Sequence, residues 1–517
     1  MTGSDDFDVV FIGGGISTAM TLLGLITDVG EAPRAEGFRL KMAVIDDHGE
    51  LGGGLAYGAR GGSSSLIITS LEDFCPEPIR SQFVAWLDKN QGEAFGAFSE
   101  SGGDLSDEWA ATNEAALQAG RYDELYLPRS VFGMFVKDLL LNAVSATEWL
   151  SLEHVAGEAV SVRTGSTSTI RVIENSSGQT RSISGRSVVL AIGTPPQRLL
   201  FPESRAVDCR FIDQVYEPSI SSQLQRLRQG LRGTSNTELM LIGSNATALD
   251  VLFNVLDDNE LDAMIDRVTV LSPQGRFPHK ISERSVDFSA RSLEALIASE
   301  EPIQAVDIGQ AVRADQARAE HAGLNIAEIL PAINARAMEA LGRCDVEQTQ
   351  IFAETIGVEI GRVQRRAGGL YSDLFLRLQQ SGRLRHVRGK FEFVEEAGAG
   401  KLRVFGRNEH GLPVELHGSV SAIINCAGFE TLGTKTSSAL VRSLISNGIV
   451  TVNGSQRGFR VADDFSASPG IYVNGPCLAG NVVQGRPIWH MEHCGRILSV
   501  ATELSPILAE RVLQTHR

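Results

Sequence analysis

Three consecutive glycines, Gly13, Gly14 and Gly15, follow the apolar run of residues 9–12 near the start of the sequence. Residues 16–26 then carry apolar side chains at helical spacing, so the pattern predicts a strand, a tight turn and a helix. A glycine at position 15 has no Cβ, which lets a pyrophosphate approach the backbone. The N–H groups at the start of the helix would bind that phosphate. The stretch therefore predicts the opening of a dinucleotide-binding βαβ unit.

An acidic residue at the end of the next strand favours the same interpretation. Residues 40–45 are predicted to form that strand, and Asp46, or its neighbour Asp47, would accept hydrogen bonds from ribose hydroxyls. The spacing from the glycines exceeds the usual value of about twenty residues, which places an insertion before the strand. Ser17 and Thr18 would also face the cofactor, although Thr18 replaces the third glycine of the motif. An ordinary glycine turn in an α/β domain is the alternative.

Two further features of this first region could contact a cofactor. Gly52, Gly53 and Gly54 form a second glycine loop that is compatible with a phosphate, and Tyr57 could stack on a ring. The alternative for this loop is a surface turn with a half-buried tyrosine. Arg129 precedes an amphipathic helix and could contact a phosphate, a carboxylate or a ribose. An ordinary capping or surface role is equally open for this arginine.

A second glycine turn follows the apolar residues 239–242, with the pattern G-x-N-x-x-A. Gly243 permits the turn and Ala248 takes the third position of the motif, whereas the side chain of Asn245 crowds the space of a pyrophosphate. The next strand ends without a carboxylate. Arg276 follows it, which suits a 2′-phosphate and hence NADPH over NADH. A remnant nucleotide fold without a ligand is the alternative.

The order of the elements predicts an α/β fold with two Rossmann-like dinucleotide-binding domains. Each glycine turn is followed by short alternating strands, a β-meander, and then by an apolar strand that ends in glycine. Residues 282–380 are helical in pattern and predict an all-α insertion or cap. Arg362, Arg365 and Arg366 lie near its end, where they form either a solvated basic face or a site for a substrate carboxylate.

Composition argues against several other classes of protein. The chain has 517 residues, which predicts two or three domains, and a net charge of −16, which argues against nucleic acid and anionic membranes as partners. Its six cysteines include no CxxC pair, so a redox disulfide or a zinc ribbon is not expected. His490 and His493 lack the order of a metal-binding motif, and no metal is expected. Without a visible targeting signal or membrane-spanning run, we expect a cytoplasmic protein.

The two dinucleotide units, the two meanders and the closing stretch GIYVNGP at residues 470–476 resemble the two-dinucleotide-binding-domain flavoproteins. In that group the first unit binds FAD and the second binds NAD(P)H. The stretches GGGLAYG at 52–58, LPRSVFG at 127–133 and IINCAG at 423–428 are similar to a bacterial FAD/NAD(P)-binding family. That family is distantly similar to flavin-dependent N-hydroxylating monooxygenases, including ornithine and lysine N-hydroxylases and the enzymes that oxidise aspartate to nitrosuccinate.

The resemblance implies further cofactor contacts and a division of the chain. Val160 would offer its backbone to adenine, Gly193 would lie near the adenine half of FAD, and Gly475 would lie near the ribityl chain. Pro476 stands where many relatives have an acidic residue. The implied domains are the first part of an FAD-binding domain at 1–204, an NADPH-binding domain at 205–281 and 381–418, the helical insertion at 282–380, and the C-terminal part of the FAD-binding domain at 419–517.

The function implied by the resemblance is that of an FAD-dependent, NADPH-using monooxygenase. It would N-hydroxylate a small amine or amino acid through a flavin C4a-hydroperoxide, and the lack of a protein nucleophile motif agrees with chemistry carried by a flavin. Arg129, Arg365 and Arg366 are the expected anchors for a substrate carboxylate. Two alternatives stay open: an FAD-dependent dehydrogenase or reductase without oxygenation, and a non-enzymatic FAD-binding protein.

Overall fold

Two β-sheets, one mixed and one parallel, form the centre of the protein in the computed structural model, which describes residues 6–205, 207–282, 286–433 and 435–516. Each sheet carries one of the glycine turns after the carboxyl end of a strand. The predicted α/β class is confirmed. Within these described ranges, no helix is long and apolar enough to cross a bilayer.

The first sheet is built from the amino-terminal region and receives two short strands from the C-terminal region. Its βαβ opening follows from the apolar run before the glycines and from the helical spacing after them. The elements of this region are β1 (Asp6–Ile12), α1 (Ile16–Glu31), β2 (Leu40–Asp46), α2 (Gly54–Tyr57), α3 (Leu71–Phe74), α4 (Ile79–Ser101), α5 (Asp104–Gln118), α6 (Arg129–Ser145), β3 (Leu150–Arg163), β4 (Ser168–Glu174) and β5 (Thr180–Leu190).

Two strands of this region are longer than the sequence pattern predicts. β3 pairs parallel with β2 through its first half and antiparallel with β4 through its second half. β5 likewise pairs antiparallel with β4 and then runs parallel to β1. The pattern predicts separate strands at 179–185 and 187–193. They form one strand because no turn interrupts the backbone at Gly185, whose missing Cβ leaves room for Val10.

The second sheet and the helical insertion occupy the middle of the chain. The first elements here are β6 (Phe211–Ile212), α7 (Ile220–Leu231), β7 (Glu238–Ile242), α8 (Ala246–Asp257), α9 (Asn259–Met264), β8 (Arg267–Ser272) and β9 (His279–Lys280). The insertion contains α10 (Arg291–Ala298), α11 (Ala305–His321), α12 (Ile326–Leu341), α13 (Val346–Ile351), a π-helical segment (Phe352–Ile356) and α14 (Gly357–Val363). The chain then returns through β10 (Arg366–Ala367), α15 (Gly369–Gln380), β11 (Leu384–Arg388), β12 (Lys390–Gly398), β13 (Lys401–Arg407), β14 (Pro413–Val420) and β15 (Ala422–Asn425).

The C-terminal region returns to the first sheet. Its elements are α16 (Ala439–Ser446), β16 (Ser466–Ser468), β17 (Ile471–Val473), β18 (Asn481–Val483), β19 (Arg486–Ile488) and α17 (Cys494–Thr515). β17 pairs parallel with β5, and α17 packs along α1, the helix of the first glycine turn. The last part of the chain therefore lies beside its beginning.

Both sheets have the same order of parallel strands. The first runs β3-β2-β1-β5-β17 and the second runs β11-β8-β7-β15-β6. Equivalent strands therefore surround each glycine turn, as the internal repetition of the sequence predicts. The predicted domain boundary after residue 418 lies too early, because β15 pairs with β7 and belongs to the second sheet.

Helices of the insertion enclose a small hydrophobic core of their own, to which α10, α11 and α12 contribute. The parallel pair of β9 and β10 closes the base of this insertion. The predicted range extends to residue 380, but α15 lies outside the insertion, because Tyr371 and Phe375 bury their rings in the main core of the protein. Phe352 of the insertion meets the ring of Trp489, so the insertion contacts the C-terminal region.

Candidate active site

The first glycine turn leaves free space beside Gly15 but not beside Gly13. Gly13 has a φ of +104°, and a Cβ there would lie 2.2 Å from the carbonyl oxygen of Ala191. At Gly15 a Cβ would meet only the Cα of Gly54, at 3.6 Å. α1 begins immediately after Gly15, and no side chain caps its first turn in the described structure. A phosphate would find both space and N–H donors here.

The second glycine loop lies directly against this turn. The N–H group of Gly52 donates to the carbonyl oxygen of Gly14 at 2.7 Å. Gly54 has a φ of +56°, and a Cβ on it would lie 2.8 Å from the Cα of Gly15. Gly53 is equally crowded, with backbone atoms 2.8 Å from the position of a Cβ. The structure thus brings the two predicted glycine loops together.

Asp46 holds the turn from the end of β2. Its Oδ2 accepts the N–H of Gly14 at 2.8 Å, and its Oδ1 accepts the N–H groups of His48 and Glu50, both at 3.0 Å. A ribose hydroxyl would have to share these oxygens. The sequence reasoning missed Glu50, although its acidic type and its position after Asp46 are visible. Its Oε2 is buried without a partner among the described residues, and burial raises the pKa of Glu50, so it is a second candidate acceptor for a ribose hydroxyl.

Thr18 supports the turn in place of the third glycine. Its side chain is fully buried, and its hydroxyl donates to the carbonyl oxygen of Gly13. Ser17 lies beside Gly475, where a Cβ would come within 2.7 Å of Ser17 Oγ. The amide of Asn474 donates to the carbonyl oxygen of Ser17 at 3.3 Å. The C-terminal region therefore completes the surroundings of the first turn.

The two residues that the resemblance assigns to adenine lie at irregular points of the backbone. Val160 is the extra residue of a β-bulge in β3, because the ladder with β4 shifts register between Ala159 and Ser161. A bulge leaves its extra residue outside the ladder. Gly193 follows β5 with a φ of +75°, and a Cβ added there would meet no atom within 4 Å. Gly193 leaves room for a ligand, and the contact of both residues with adenine stays a prediction.

Tyr57 is buried, which excludes the surface turn considered for this loop. Its ring meets the rings of Phe74 and Phe132 edge to face. Its hydroxyl lies by the thiol of Cys494, the first residue of α17. Tyr57 therefore links the second glycine loop to the start of α17, and its stacking on a cofactor ring stays a prediction.

The second glycine turn reproduces the backbone of the first. Gly243 has a φ of +113°, and a Cβ there would lie 2.1 Å from the carbonyl oxygen of Cys426, just beyond the end of β15. Asn245 precedes α8 with an extended backbone and is exposed, so it stands where a phosphate would approach. Ala248 is fully buried. Arg276 lies exposed beyond the end of β8, accessible to a 2′-phosphate.

Arg129 has a buried partner that sequence reasoning did not identify. Its Nη1 lies 2.7 Å from Oδ2 of Asp250 in α8, and its Nε donates to the carbonyl oxygen of Leu66 at 2.9 Å. The hydroxyls of Tyr216 and Tyr371 also donate to the Asp250 carboxylate, at 3.4 and 3.3 Å. Burial alone would lower the pKa of Arg129, but Asp250 and the neighbouring tyrosines together outweigh burial, and the pKa rises. A substrate carboxylate would compete with Asp250, so the geometry favours an ion pair that joins the two nucleotide units.

Two more polar residues of α8 contact the first unit. Asn254 donates to Ser65 Oγ at 3.0 Å, and the Asp257 carboxylate accepts the N–H of Ser106 at 2.8 Å. Asp250, Asn254 and Asp257 are spaced at i, i+4 and i+7, which places them on one face of the helix. We call these three residues the α8 seam. Polar residues at this spacing in an otherwise apolar helix are the sequence signal that would have identified it.

Arg365 belongs to a group of charged side chains between the insertion and the C-terminal region. Arg457 forms an ion pair with Glu492. Arg496 donates to the ring of His490 at 2.7 Å and to its carbonyl oxygen at 3.0 Å. The charge of Arg365 acts on both Glu492 and His490, which places it in the same group. We call these five residues the arginine recess.

This recess is enclosed by protein yet reached by water. The side chains of Arg457 and Glu492 are 22% and 33% exposed. Burial, assisted by Arg496, nevertheless lowers the pKa of His490 to about 4. Burial alone would raise the pKa of Glu492, but Arg457, His490 and Arg365 together outweigh burial, and the pKa falls.

Arg366 and His493 lie at the edge of this region. Arg366 is exposed in β10, and its charge reaches His493, whose pKa is lowered mainly by burial and then by Arg496. His493 caps α17, because its Nδ1 accepts the N–H of Gly495 at 3.2 Å. The described part of the chain contains no group of three side chains placed to hold a metal ion.

The residues around the first turn fit a dinucleotide. Gly15 and Gly193 leave space that a side chain would fill, and α1 offers its first N–H groups. The buried Oε2 of Glu50 supplies an acceptor that has no protein partner in the described structure. These features are what a pyrophosphate and a ribose need.

Comparison with known sequences agrees with this fit. Residues 10–195 match a family model described as FAD-NAD(P)-binding. An uncharacterised protein of Mycobacterium tuberculosis is 32% identical over 514 residues, which cover 97% of this chain and 95% of that protein. An uncharacterised protein of Mycobacterium bovis matches with the same figures.

Solved structures share the fold over nearly the whole chain. One is an ornithine N-hydroxylase of Kutzneria sp. 744 with reduced FAD, NADP⁺ and L-ornithine, at a TM-score of 0.55 and 15% identity, covering 98% of this chain and 99% of that one. Another is a cadaverine monooxygenase of Erwinia amylovora bound to FAD, at a TM-score of 0.51 and 12% identity, covering 98% and 95%. The flavoprotein fold with two dinucleotide-binding domains is confirmed.

Proposed function

The chain belongs to a family of FAD-NAD(P)-binding proteins that includes its mycobacterial relatives, and from that premise we propose that it is a flavin-dependent monooxygenase. NADPH is the electron source and O₂ the second substrate. A small amine or amino acid is N-hydroxylated. Enzymes for ornithine and cadaverine with the same fold support this reaction type. These enzymes act on different amines, so the substrate of this chain has to be inferred from its own residues.

One observation carries the proposal: the chain has glycine turns at equivalent edges of two sheets. Gly13 and Gly243 both have strongly positive φ and both pack against the residue that follows the neighbouring strand. Because dinucleotides bind at the carboxyl edge of parallel strands, one chain would hold an electron donor and a flavin. The α8 seam fixes the second turn relative to the first.

The residues around the first turn would hold FAD, which supplies electron transfer from NADPH to O₂ when bound. Gly15 and the start of α1 would take the pyrophosphate, and Asp46 and Glu50 would take ribose hydroxyls. Gly475 would let the cofactor pass beside Ser17 without a side chain in the way. Arg276 would take the 2′-phosphate of NADPH.

The arginine recess is the proposed place for the substrate. Arg365 would bind and orient a carboxylate. The positive potential of the recess disfavours a second cation, so it would lower the pKa of a substrate ammonium and favour the neutral amine that N-hydroxylation requires. Enclosure by the insertion would limit the access of bulk water.

The test is a single-turnover experiment with product analysis. The FAD-loaded protein is reduced with NADPH without oxygen and then mixed with ¹⁸O₂ and a panel of amines and amino acids. We expect a hydroxylamine product that carries one labelled oxygen. Reduction without an oxygenated product would contradict the proposal in favour of a dehydrogenase or reductase. A flavin that NADPH does not reduce would contradict it in favour of a non-enzymatic FAD-binding protein.

A further inference from the structure

The three-stranded sheet of β12, β13 and β14 has an inner face in the core and an outer face that is exposed. The inner face packs on the second sheet through apolar side chains that include Leu402 and Val404. On the outer face, Phe393 of β12 and Phe405 of β13 are cross-strand neighbours, with ring centroids 5.0 Å apart and ring planes at 11°. Phe393 is 49% exposed. The stacked pair is therefore the apolar centre of an open sheet face.

The charged side chains of this outer face are segregated by strand. β12, an edge strand of the sheet, contributes Glu392 and Glu395, and the neighbouring β13 contributes Arg403 and Arg407. Nη2 of Arg403 lies 2.6 Å from Oε2 of Glu395. Nε of Arg407 lies 2.7 Å from Oε1 of Glu392. The two ion pairs stand on either side of the aromatic pair, and we call these six residues, Glu392, Phe393, Glu395, Arg403, Phe405 and Arg407, the meander face.

The ion pairs within the meander face are weak enough to be shared with another molecule. Their side chains are between 34% and 50% exposed, and ion pairs at such exposure contribute about 0–1 kcal/mol. Each guanidinium also has more N–H groups than its ion pair uses. Glu415 of β14 borders the face, 3.6 Å from Arg403. With this residue included, the local charge is nearly balanced, so two copies of this acidic chain can approach each other here with little local repulsion.

The free edge of β12 is poorly suited to the addition of another strand. Its ladder with β13 shifts register between Phe391 and Phe393, and again between Glu396 and Gly398. Bulges of this kind twist an edge strand and oppose the pairing of a further strand. Association through this sheet would therefore involve its outer face and not its edge.

The segregation of charge by strand selects one arrangement of two copies. A twofold axis perpendicular to the strands would lay β12 on β12, so glutamates would meet glutamates. An axis parallel to the strands, between β12 and β13, lays β12 of each copy on β13 of the other. Because Glu395 is in register with Arg403, the Glu395 of one copy then faces the Arg403 of the other, and Phe393 faces Phe405 in the same way. The symmetry repeats each of these contacts.

We infer that the meander face binds a second copy of this chain in this arrangement, which gives a twofold-symmetric dimer. The inference goes beyond the proposed function and does not depend on it. Three strands about 4.8 Å apart present a small area for a protein interface. We therefore expect a weak dimer, with a dissociation constant of about 1–100 μM.

The test is sedimentation velocity of the full-length, FAD-loaded protein over a concentration series that spans this range. We expect a monomer at the lowest concentrations and a dimer at the highest. Phe393→Glu should raise the dissociation constant at least about tenfold, because it places a charge in the apolar centre of the contact. Leu376→Glu is the matched control: Leu376 is a similarly exposed residue of α15, and its variant should dimerise like the parent.

Two charge variants test the arrangement of the copies. Arg403→Glu makes the facing positions 395 and 403 both acidic, and Glu395→Arg makes them both basic. Each variant alone should dimerise at least about tenfold more weakly than the parent. In an equimolar mixture, acidic positions of one variant face basic positions of the other at both symmetry-related contacts, so a mixed dimer should form with nearly the parental affinity. Circular dichroism melts of the variants check that the fold is kept.

A protein that stays monomeric at the highest concentration would overturn the inference, and the meander face would then be left to solvent or to a different protein. A dimer that Phe393→Glu does not weaken, or that Leu376→Glu weakens equally, would also overturn it, because the contact would lie elsewhere. So would a mixture of the charge variants that is no more dimeric than its components. None of these outcomes depends on the reduction of flavin, so they stand apart from the test of the proposed function.

Discussion

Removing Asp250 should destabilise the protein far more than removing an exposed partner of the same kind. Asp250 and Arg129 are 5% and 17% exposed, and their ion pair joins α8 to α6. Asp250→Ala would leave the Arg129 guanidinium buried without its counter-charge. It would also leave the hydroxyls of Tyr216 and Tyr371 without their carboxylate acceptor.

The expected magnitude follows from burial. Loss of one partner from a buried ion pair costs about 3–5 kcal/mol of the free energy of unfolding. We expect about 3 kcal/mol, the lower end, because Arg129 keeps its hydrogen bond to the carbonyl oxygen of Leu66. The ion pair of Arg377 with Glu108 also joins the two units, but its side chains are 57% and 49% exposed. Glu108→Ala should therefore cost about 1 kcal/mol or less.

The assay is urea unfolding followed by tryptophan fluorescence, since Trp109 is buried in α5 near the α8 seam. The double variant of Arg129→Ala with Asp250→Ala completes a double-mutant cycle. Its loss of free energy of unfolding should be clearly smaller than the sum of the losses of the two single variants. A loss of free energy of unfolding for Asp250→Ala as small as that for Glu108→Ala would refute the reasoning. So would full additivity of the two single variants.

Three further predictions concern the glycine turn, the recess and the second nucleotide. Gly15→Ala should abolish FAD binding in a titration, while its melting temperature by circular dichroism stays near that of the parent. Gly13→Ala should lower the free energy of unfolding by about 2 kcal/mol or more, because the φ of Gly13 is +104°. His490 takes up a proton near pH 6.5 in the unfolded protein but only near pH 4 in the folded protein. The free energy of unfolding should therefore fall as the pH is lowered between these values. His490→Gln should flatten this part of a plot of the free energy of unfolding against pH. Arg276→Gln should raise the KM for NADPH about tenfold and leave the KM for NADH unchanged in steady-state flavin reduction.

The glycine turns could be predicted from sequence because their causes are local. The apolar run, the glycines and the helical spacing lie within residues 9–26, and each acts on its own neighbours. The same succession of glycine turn, meander and glycine-ended strand recurs from Gly243, and the two sheets have the same order of parallel strands. Thr18 looks like a departure in sequence, but its hydroxyl bonds the carbonyl oxygen of Gly13 and stabilises the turn.

The ion pair of Arg129, the arginine recess and the packing of α15 could not be predicted, because they depend on contacts between distant parts of the chain. Arg129 and Asp250 are 121 residues apart, and nothing near Arg129 in sequence indicates a buried acidic partner. The arginine recess combines Arg365 from the end of the insertion with Glu492 from the segment before α17. Periodicity predicts the helices that carry these residues, but it does not predict which helices meet. The insertion illustrates the same limit, because α15 has a helical pattern yet packs in the main core of the protein.

The most direct test is the absorption spectrum of the purified protein before and after anaerobic addition of NADPH. If the first turn binds FAD and the second binds NADPH, the preparation, supplemented with FAD where needed, shows the bands of oxidised flavin and loses them when NADPH is added. A colourless protein that binds no added FAD in calorimetry would contradict the central claim that the first glycine turn holds a flavin.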